Sequence, residues 1–450
     1  MDALLLSRIQ FAFTIGYHII FPTLSMGLAV FLVFMEAMEL KTGRPQWRDA
    51  GIFWTRIFAL SFGMGVVSGV VLSYEIGTNW GRFAEIAGPV VGPLMSYEVM
   101  SAFFLEAGFL GIVLFGRNRV GPRLHFFSTC MVALGTLLSA FWILAANSWM
   151  QTPAGYRFER GMIEVVSWSE AIFNPSFPLR LAHMLTASFV ATSFVVAAVG
   201  AWYLLKQQHV ALGRSVLRLG LAAAAVLTPL QAVIGDQHGL NTYRHQPMKI
   251  AAIEGHWETS RGVPLILFAW PDQEAETNHF ELSVPKLGSI ILTHEWDGEI
   301  PGLKEVPPED RPPVAIVFWS FRIMVGCGLV MILLAWLGVA LWWRGRLEQS
   351  RAYLRLLCLG APLGFIAVLA GWVTTEVGRQ PWVVYGVLRT ADGVSPVAAG
   401  NVAASLSLFV VVYAVLFYAF LRFFAFLVRC GPDAPPVGKG EVLGEERAGQ

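Results

Sequence analysis

Nine apolar runs, each long enough to cross a bilayer, constrain this chain more than any other feature. They cover approximately residues 13–39, 53–75, 94–115, 124–146, 180–205, 215–235, 314–343, 355–377 and 399–428. A helix needs ~20 consecutive apolar residues to cross the ~30 Å hydrocarbon core. In lipid each backbone N–H and C=O must be satisfied within its own segment, so such runs fold as helices. The residues are 55% hydrophobic and 14% charged, against about 25% charged in soluble domains. The expected fold class is all-α, a polytopic membrane protein with about nine transmembrane helices. A net charge of +1 leaves no basic footprint for nucleic acid.

Lys and Arg in the short connections set the expected orientation. One set of connections carries Lys41, Arg44 and Arg48, then Arg117, Arg119 and Arg123, then Lys206, Arg214 and Arg218, then Arg344, Arg346, Arg351 and Arg355; the other is poor, with Arg82, Arg157 and Arg160. The bias has one sign throughout, so the N-terminus is expected outside and the C-terminus in the cytoplasm. The chain starts directly on a span, without the layout of a cleavable signal. The expected organisation is residues 1–235 as transmembrane helices one to six, 236–313 as an outer, periplasmic loop, 314–428 as helices seven to nine, and 429–450 as a disordered cytoplasmic tail rich in Gly, Pro and Glu.

The eighth run closes on Gly371-Trp372-Val373-Thr374-Thr375-Glu376-Val377-Gly378-Arg379-Gln380-Pro381-Trp382. Trp372, Glu376 and Arg379 have the spacing of one helix face, and Pro381 stops the helix. A charge at membrane depth costs several kcal/mol unless it is paired or functional. The plain reading is a capping ion pair with an interfacial Trp. Other ligand-type residues lie inside the runs: His18 in the first, Glu98 and Glu106 in the third, His183 in the fifth and Met324 in the seventh. Singly, each has a packing reading: a hydrogen-bonded His, a gap-filling Met, a carboxylate at a helix N-terminus. The expected topology puts His18, Glu98, His183, Met324 and Glu376 together in the outer half of the membrane, which scattered packing does not predict. Two imidazoles, a thioether and carboxylates suit haem iron better than zinc. The four cysteines form no CxxC or CxxCH, which excludes covalent c-type haem and removes support for a zinc or iron–sulfur site. In the outer segment, Gly235-Asp236-Gln237-His238-Gly239 precedes His245-Gln246-Pro247-Met248-Lys249-Ile250-Ala251-Ala252-Ile253-Glu254-Gly255-His256-Trp257-Glu258. Proton-accepting residues beside Trp257 suit a site that oxidises a hydroquinone, or a solvated interfacial helix.

Together these motifs resemble subunit I of cytochrome bd-type quinol oxidases, span for span over nearly the whole chain. Further matches are Gly16-Tyr17-His18 with Phe21-Pro22, Gly77-Thr78-Asn79-Trp80, Asn147-Ser148-Trp149-Met150-Gln151, and Ser320-Phe321-Arg322-Ile323-Met324-Val325-Gly326. The resemblance implies a terminal respiratory oxidase of the bacterial inner membrane, which oxidises ubiquinol or menaquinol outside and reduces dioxygen to water. Protons would come from the cytoplasm, so that charge separates without a pump. It implies two haem b groups, one low-spin and one high-spin, and haem d or a further haem b in its place. His183 and Met324 would be axial ligands of the low-spin haem, with Arg322 at its propionates. His18 and Glu376 would ligate the high-spin haems, with Glu98 near the other face of the former and Trp372 and Arg379 supporting the latter. Lys249 and Glu254 would form the quinol pair, and Glu106 and Ser139 a proton path. Implied partners are subunit II and a small single-helix subunit. The outer segment lacks the long insertion of some members and resembles the short-loop, cyanide-insensitive branch.

Two other functions stay open on residue chemistry. A b-type electron carrier would need the His/Met pair but gives no reason for Glu98, Glu376 and Arg379. An ion-coupled transporter would explain Glu98 and Glu106 but not the His/Met pair.

Overall fold

A computed structural model describes residues 2–433. Most of the expected tail, residues 434–450, therefore lies outside the described residues. The first helices are α1 (Ala3–Thr42) and α2 (Pro45–Asn79), then α3 (Gly81–Tyr97), which runs through a π-helical segment (Glu98–Phe103) into α4 (Phe104–Phe115). Next come α5 (Pro122–Gln151), a hairpin of β1 (Tyr156–Glu159) and β2 (Met162–Val165), α6 (Trp168–Ile172), α7 (Phe177–Lys206) and α8 (Val210–His245). The second half holds α9 (Pro247–Glu254), β3 (Ser260–Arg261), β4 (Leu265–Asp272), β5 (Thr277–Val284), α10 (Leu287–Thr293) and β6 (Glu299–Ile300). It ends with α11 (Val314–Trp343), α12 (Arg351–Gly360), α13 (Leu363–Val377), β7 (Trp382–Val384), β8 (Leu388–Arg389), α14 (Thr390–Gly393) and α15 (Ala399–Cys430). Nine of the described segments are long and apolar enough to span, counting α3–α4 and α12–α13 as one each.

The helices outrun the apolar runs that announce them. The first begins at Ala3 rather than near residue 13, the third at Gly81 rather than near 94. Residues 236–245, expected in the outer segment, are the last turns of α8. Hydropathy marks only the hydrocarbon depth, whereas a helix continues until something stops it. Here Pro247 disfavours a helical Gln246, and Gln246 caps α8 with φ −141°.

Helix α7 is the centre of the bundle: 78% of its most apolar window is buried, against 11% for α15. Its small residues let backbones meet, as is usual between membrane helices. A Cβ at Gly220 of α8 would sit 2.6 Å from the Ser193 carbonyl oxygen of α7. The segment between α8 and α11 is ordered. Helix α9 is buried over Met248–Glu254, and antiparallel β4–β5 covers the start of α11. At the opposite end of the bundle, the Glu36 Oε1 of α1 accepts from Arg117 Nη2 (3.0 Å) and its Oε2 meets His125 Nδ1 (3.1 Å).

Candidate functional site

At the end of α13, Arg379 Nη2 donates to Glu376 Oε2 at 2.5 Å, the expected i,i+3 pair. The other carboxylate oxygen is held from α5. Asn147 Nδ2 (2.9 Å) and Gln151 Nε2 (3.2 Å) both donate to Glu376 Oε1. The two amides are one turn apart and share a helix face. Each passes the contact on to a buried cation. Asn147 Oδ1 accepts from Arg180 Nη1 at 3.0 Å, and Gln151 Oε1 accepts from Lys249 Nζ at 2.6 Å. Three basic side chains, two of them guanidinium groups, therefore surround one carboxylate. Arg379 is 6% exposed, and its Nε and Nη1 have no partner among the described residues. Such an excess needs further anionic groups. Trp372 lies one turn before Glu376, half-buried.

The remaining ligand-type side chains each lie against a glycine. His18 Nδ1 is 2.9 Å from Ser68 Oγ on α2, and a Cβ at Gly69 would be 3.3 Å from the ring. His183 of α7 is 3.4 Å from a Cβ built on Gly235 of α8, has Gln231 Nε2 within 3.2 Å, and lies 5.4 Å from the His238 ring. Met324 Sδ of α11 would lie only 2.7 Å from a Cβ on Gly371 of α13. Among the described residues no three His, Cys, Asp or Glu side chains gather to hold a bare metal ion. Single imidazole, thioether and carboxylate donors, three of them beside a glycine and with orphaned guanidinium donors nearby, would suit a haem, whose iron needs few protein ligands.

Glu98 opens the π segment, a kind of irregularity that recurs at functional sites, and its Oε1 accepts from Ser139 Oγ at 2.7 Å. Gly135, one turn from Ser139 on α5, faces Glu106, whose Cγ would be 2.4 Å from an added Cβ. Glu106 is 5% exposed. The structure thus lines up Glu106, Ser139 and Glu98 along one face of α5.

Lys249 and Glu254 lie at the two ends of α9, five residues and ~140° of helix rotation apart. They do not form one contact. Lys249 turns into the bundle toward Gln151, and its stem lies against Gly378. Burial and the nearby Arg180 hold its ammonium well below the usual lysine range. Glu254 turns toward α11, 3.6 Å from Arg322 Nη2, and burial pushes its carboxyl up. Arg322 also donates to the Ile253 (2.6 Å), Phe318 (3.2 Å) and Ile266 carbonyls and lies over the Phe318 ring. Its guanidinium is engaged with the loop. Two cavities flank α9. One of about 200 Å³ is lined by Lys249, Asp310, Gln380, Trp382 and Tyr385, and one of about 330 Å³ by His256, Trp257, Pro264 and Asn278.

Sequence reasoning passed over several of these groups. Arg180 and Gln231 gave no motif of their own, and Asn147 and Gln151 stood in a matched motif without a role. Glu75 on α2 is 1% exposed and has no hydrogen-bond partner for either oxygen. Its signal, a carboxylate closing an apolar run, was available.

Residues 6–432 match the family described as Cytochrome bd terminal oxidase subunit I. Three relatives extend the match over nearly the whole chain. The cytochrome bd-II ubiquinol oxidase subunit 1 of Escherichia coli (strain K12) is 33% identical over 96% of this chain and 98% of its own. The cytochrome bd ubiquinol oxidase subunit 1 of Bacillus subtilis (strain 168) is 35% identical over 94% of this chain and 93% of its own. The putative cytochrome bd menaquinol oxidase subunit I of the same strain is 31% identical over 92% and 94%. Among solved structures, bd oxidase from Geobacillus thermodenitrificans superposes with a TM-score of 0.88 at 32% identity, covering 95% of this chain and 98% of that one.

Proposed function

This chain belongs to the cytochrome bd terminal oxidase subunit I family, and from that premise we propose how its residues divide the work. It is a multi-pass membrane subunit of a haem-bearing quinol:oxygen oxidoreductase that works with a subunit II. The transporter and electron-carrier alternatives are set aside on that ground.

In the proposed reading the segment after α8 and the N-terminus face the periplasm of a bacterial inner membrane. Quinol is oxidised at that segment, its protons leave there, and dioxygen is reduced to water inside the bundle. His183 and Met324 would hold a low-spin haem b. His18 and Glu376 would hold two high-spin groups, a haem b and either haem d or another haem b. When bound, these groups supply one-electron transfer and an open iron position for dioxygen. Arg379 and Arg180 would offset the acid groups of a haem held at Glu376, and Asn147 and Gln151 keep that carboxylate oriented. Trp372 walls the same place. Lys249 and Glu254 orient quinol from the two ends of α9. Glu106 takes protons from the cytoplasmic side and passes them through Ser139 to Glu98, so charge separates without a pump. The relatives' names divide between ubiquinol and menaquinol, and either headgroup suits these residues. Membership of the short-loop branch and a small single-helix partner belong to the same proposal.

The observation that carries the reading is that His18, His183 and Met324 each lie against a glycine and Glu376 stands apart from them, with no clustered metal site among the described residues. It is tested by a reduced-minus-oxidised spectrum and pyridine haemochrome analysis of the purified complex. His183→Ala and Met324→Leu are expected to lose the low-spin signal, and its retention in either breaks the ligand assignment. Lys249→Ala and Glu254→Ala should impair quinol oxidation while oxygen uptake with an artificial one-electron donor persists.

A further inference from the structure

We propose that His256 is the first proton acceptor for the hydroquinone, whose ring is taken into the cavity that this side chain lines. The proposal rests on the reading that the segment after α8 oxidises quinol.

Of the two cavities beside α9, the one next to His256 measures about 330 Å³ and the one next to Lys249 about 200 Å³. Small-molecule sites occupy ~300–1,000 Å³, so the His256 side has the room. Its lining is mainly polar, with Trp257, Pro264 and Ile266 to face a ring and Asn278 and Glu281 at the edge. Ile266 belongs to β4, whose neighbouring Leu267, Phe268 and Trp270 are exposed. That is apolar surface of the kind an isoprenoid tail needs.

Position and chemistry single out His256. Gly255 ends α9 at φ 70°, and the chain beyond it is fixed on both sides. The His256 N–H donates to the Ala251 carbonyl (2.9 Å), and its carbonyl accepts from Leu303 (3.0 Å). His256 lines the cavity and is 7% exposed; its Nε2 is shut off from solvent and has no hydrogen-bond partner, so the ring must turn for Nε2 to meet a substrate oxygen. An unpaired polar atom that deeply buried costs ~1–3 kcal/mol, a cost that a hydrogen-bonding substrate would remove. Burial first, and then the charge of Arg322, lower the imidazole to about 4. It is therefore neutral at working pH and offers one ring nitrogen as an acceptor. Lys249 cannot play this part, because its ammonium is turned to Gln151.

The charged groups around His256 are Arg322 and Glu254 on the membrane side, and Glu258, Glu276 and Glu281 lining the cavity. Glu258 and Glu276 are paired with Lys304, and Glu276 also with Arg311. The step balances as follows. One hydroquinone O–H breaks as an N–H bond forms on His256, and the second proton goes to the cavity-lining carboxylate of Glu281. The two electrons leave singly to the low-spin haem of this oxidase, and quinone remains.

The test uses the purified complex with His256→Gln and His256→Glu. Gln keeps size and a hydrogen-bond acceptor but cannot take a proton, whereas Glu can. Positioned proton transfer contributes ~10²–10⁴-fold. Quinol-driven kcat in His256→Gln should accordingly fall by about a hundredfold with KM little changed, while the haem spectrum and artificial-donor oxygen uptake stay at wild-type level. His256→Glu should recover most of the loss. Equal losses in the two variants, or wild-type quinol turnover in His256→Gln, overturn the proposal. If Lys249→Ala and Glu254→Ala also oxidise quinol normally, the loop reading itself has failed. If those two are impaired and His256→Gln is not, only the role of His256 falls.

Discussion

Gln151→Leu asks how much one neutral amide contributes to holding α9 against the bundle. Gln151 is 0% exposed, accepts from Lys249 Nζ at 2.6 Å and donates to Glu376 Oε1 at 3.2 Å. Leucine has nearly the same volume, so the cavity contribution is small. Its carbonyl, which accepts from Gln246 at 2.8 Å, survives the change. Each hydrogen bond to a charged group is worth ~1.5–3 kcal/mol, and stranding a buried ammonium costs more than stranding a neutral group. Glu376 keeps Asn147 and Arg379, so the loss at Lys249 dominates. The expected cost is about 3–4 kcal/mol. The assay is the rate of thermal inactivation of the purified complex at a fixed temperature, followed through its haem absorbance. At ~1.4 kcal/mol per tenfold, inactivation should accelerate by about two to three orders of magnitude. In a Lys249→Met background the ammonium is gone, and Gln151→Leu should cost only about 1.5 kcal/mol, the longer bond to Glu376. The cycle thus yields ~1.5–2.5 kcal/mol of coupling, within the range for residues in contact. Equal effects in both backgrounds, within about 0.5 kcal/mol, would refute the amide bridge.

Gly371→Ala places a Cβ 2.7 Å from Met324 Sδ and should change the low-spin haem signal as Met324→Leu does. Gly326→Ala on the same helix as Met324 meets nothing within 4 Å and should leave the signal alone; a wild-type spectrum in Gly371→Ala breaks the argument. Glu106→Gln should slow oxygen reduction while quinol still reduces the low-spin haem, with Ser139→Ala milder because Glu98 loses only one hydrogen bond of ~1 kcal/mol. Wild-type turnover in Glu106→Gln would remove it from the proton path.

The membrane explains why so much could be read in advance. Lipid offers no hydrogen bonds, so an apolar run has one foldable answer, and the nine spans follow from composition alone. The pair Glu376–Arg379 was equally legible, because i,i+3 neighbours meet on any helix. The bridge from Lys249 to Gln151 was not, since it joins positions 98 apart on elements whose docking no local pattern encodes. Lys249 and Glu254 show the converse. They share one short helix and read as a pair, yet their side chains turn to different neighbours, α5 and α11.

Sequence by itself determined the class of fold, the number of spans and the residue types able to ligate iron or carry protons, because the solvent imposes those choices segment by segment. Only the tertiary structure decided which polar group answers which. It set Glu98 on Ser139, Glu376 between two amides, and His256 unanswered beside a cavity. The reason is energetic. A buried polar atom must find its partner wherever packing brings one within ~3 Å, and that distance is a property of the assembled bundle.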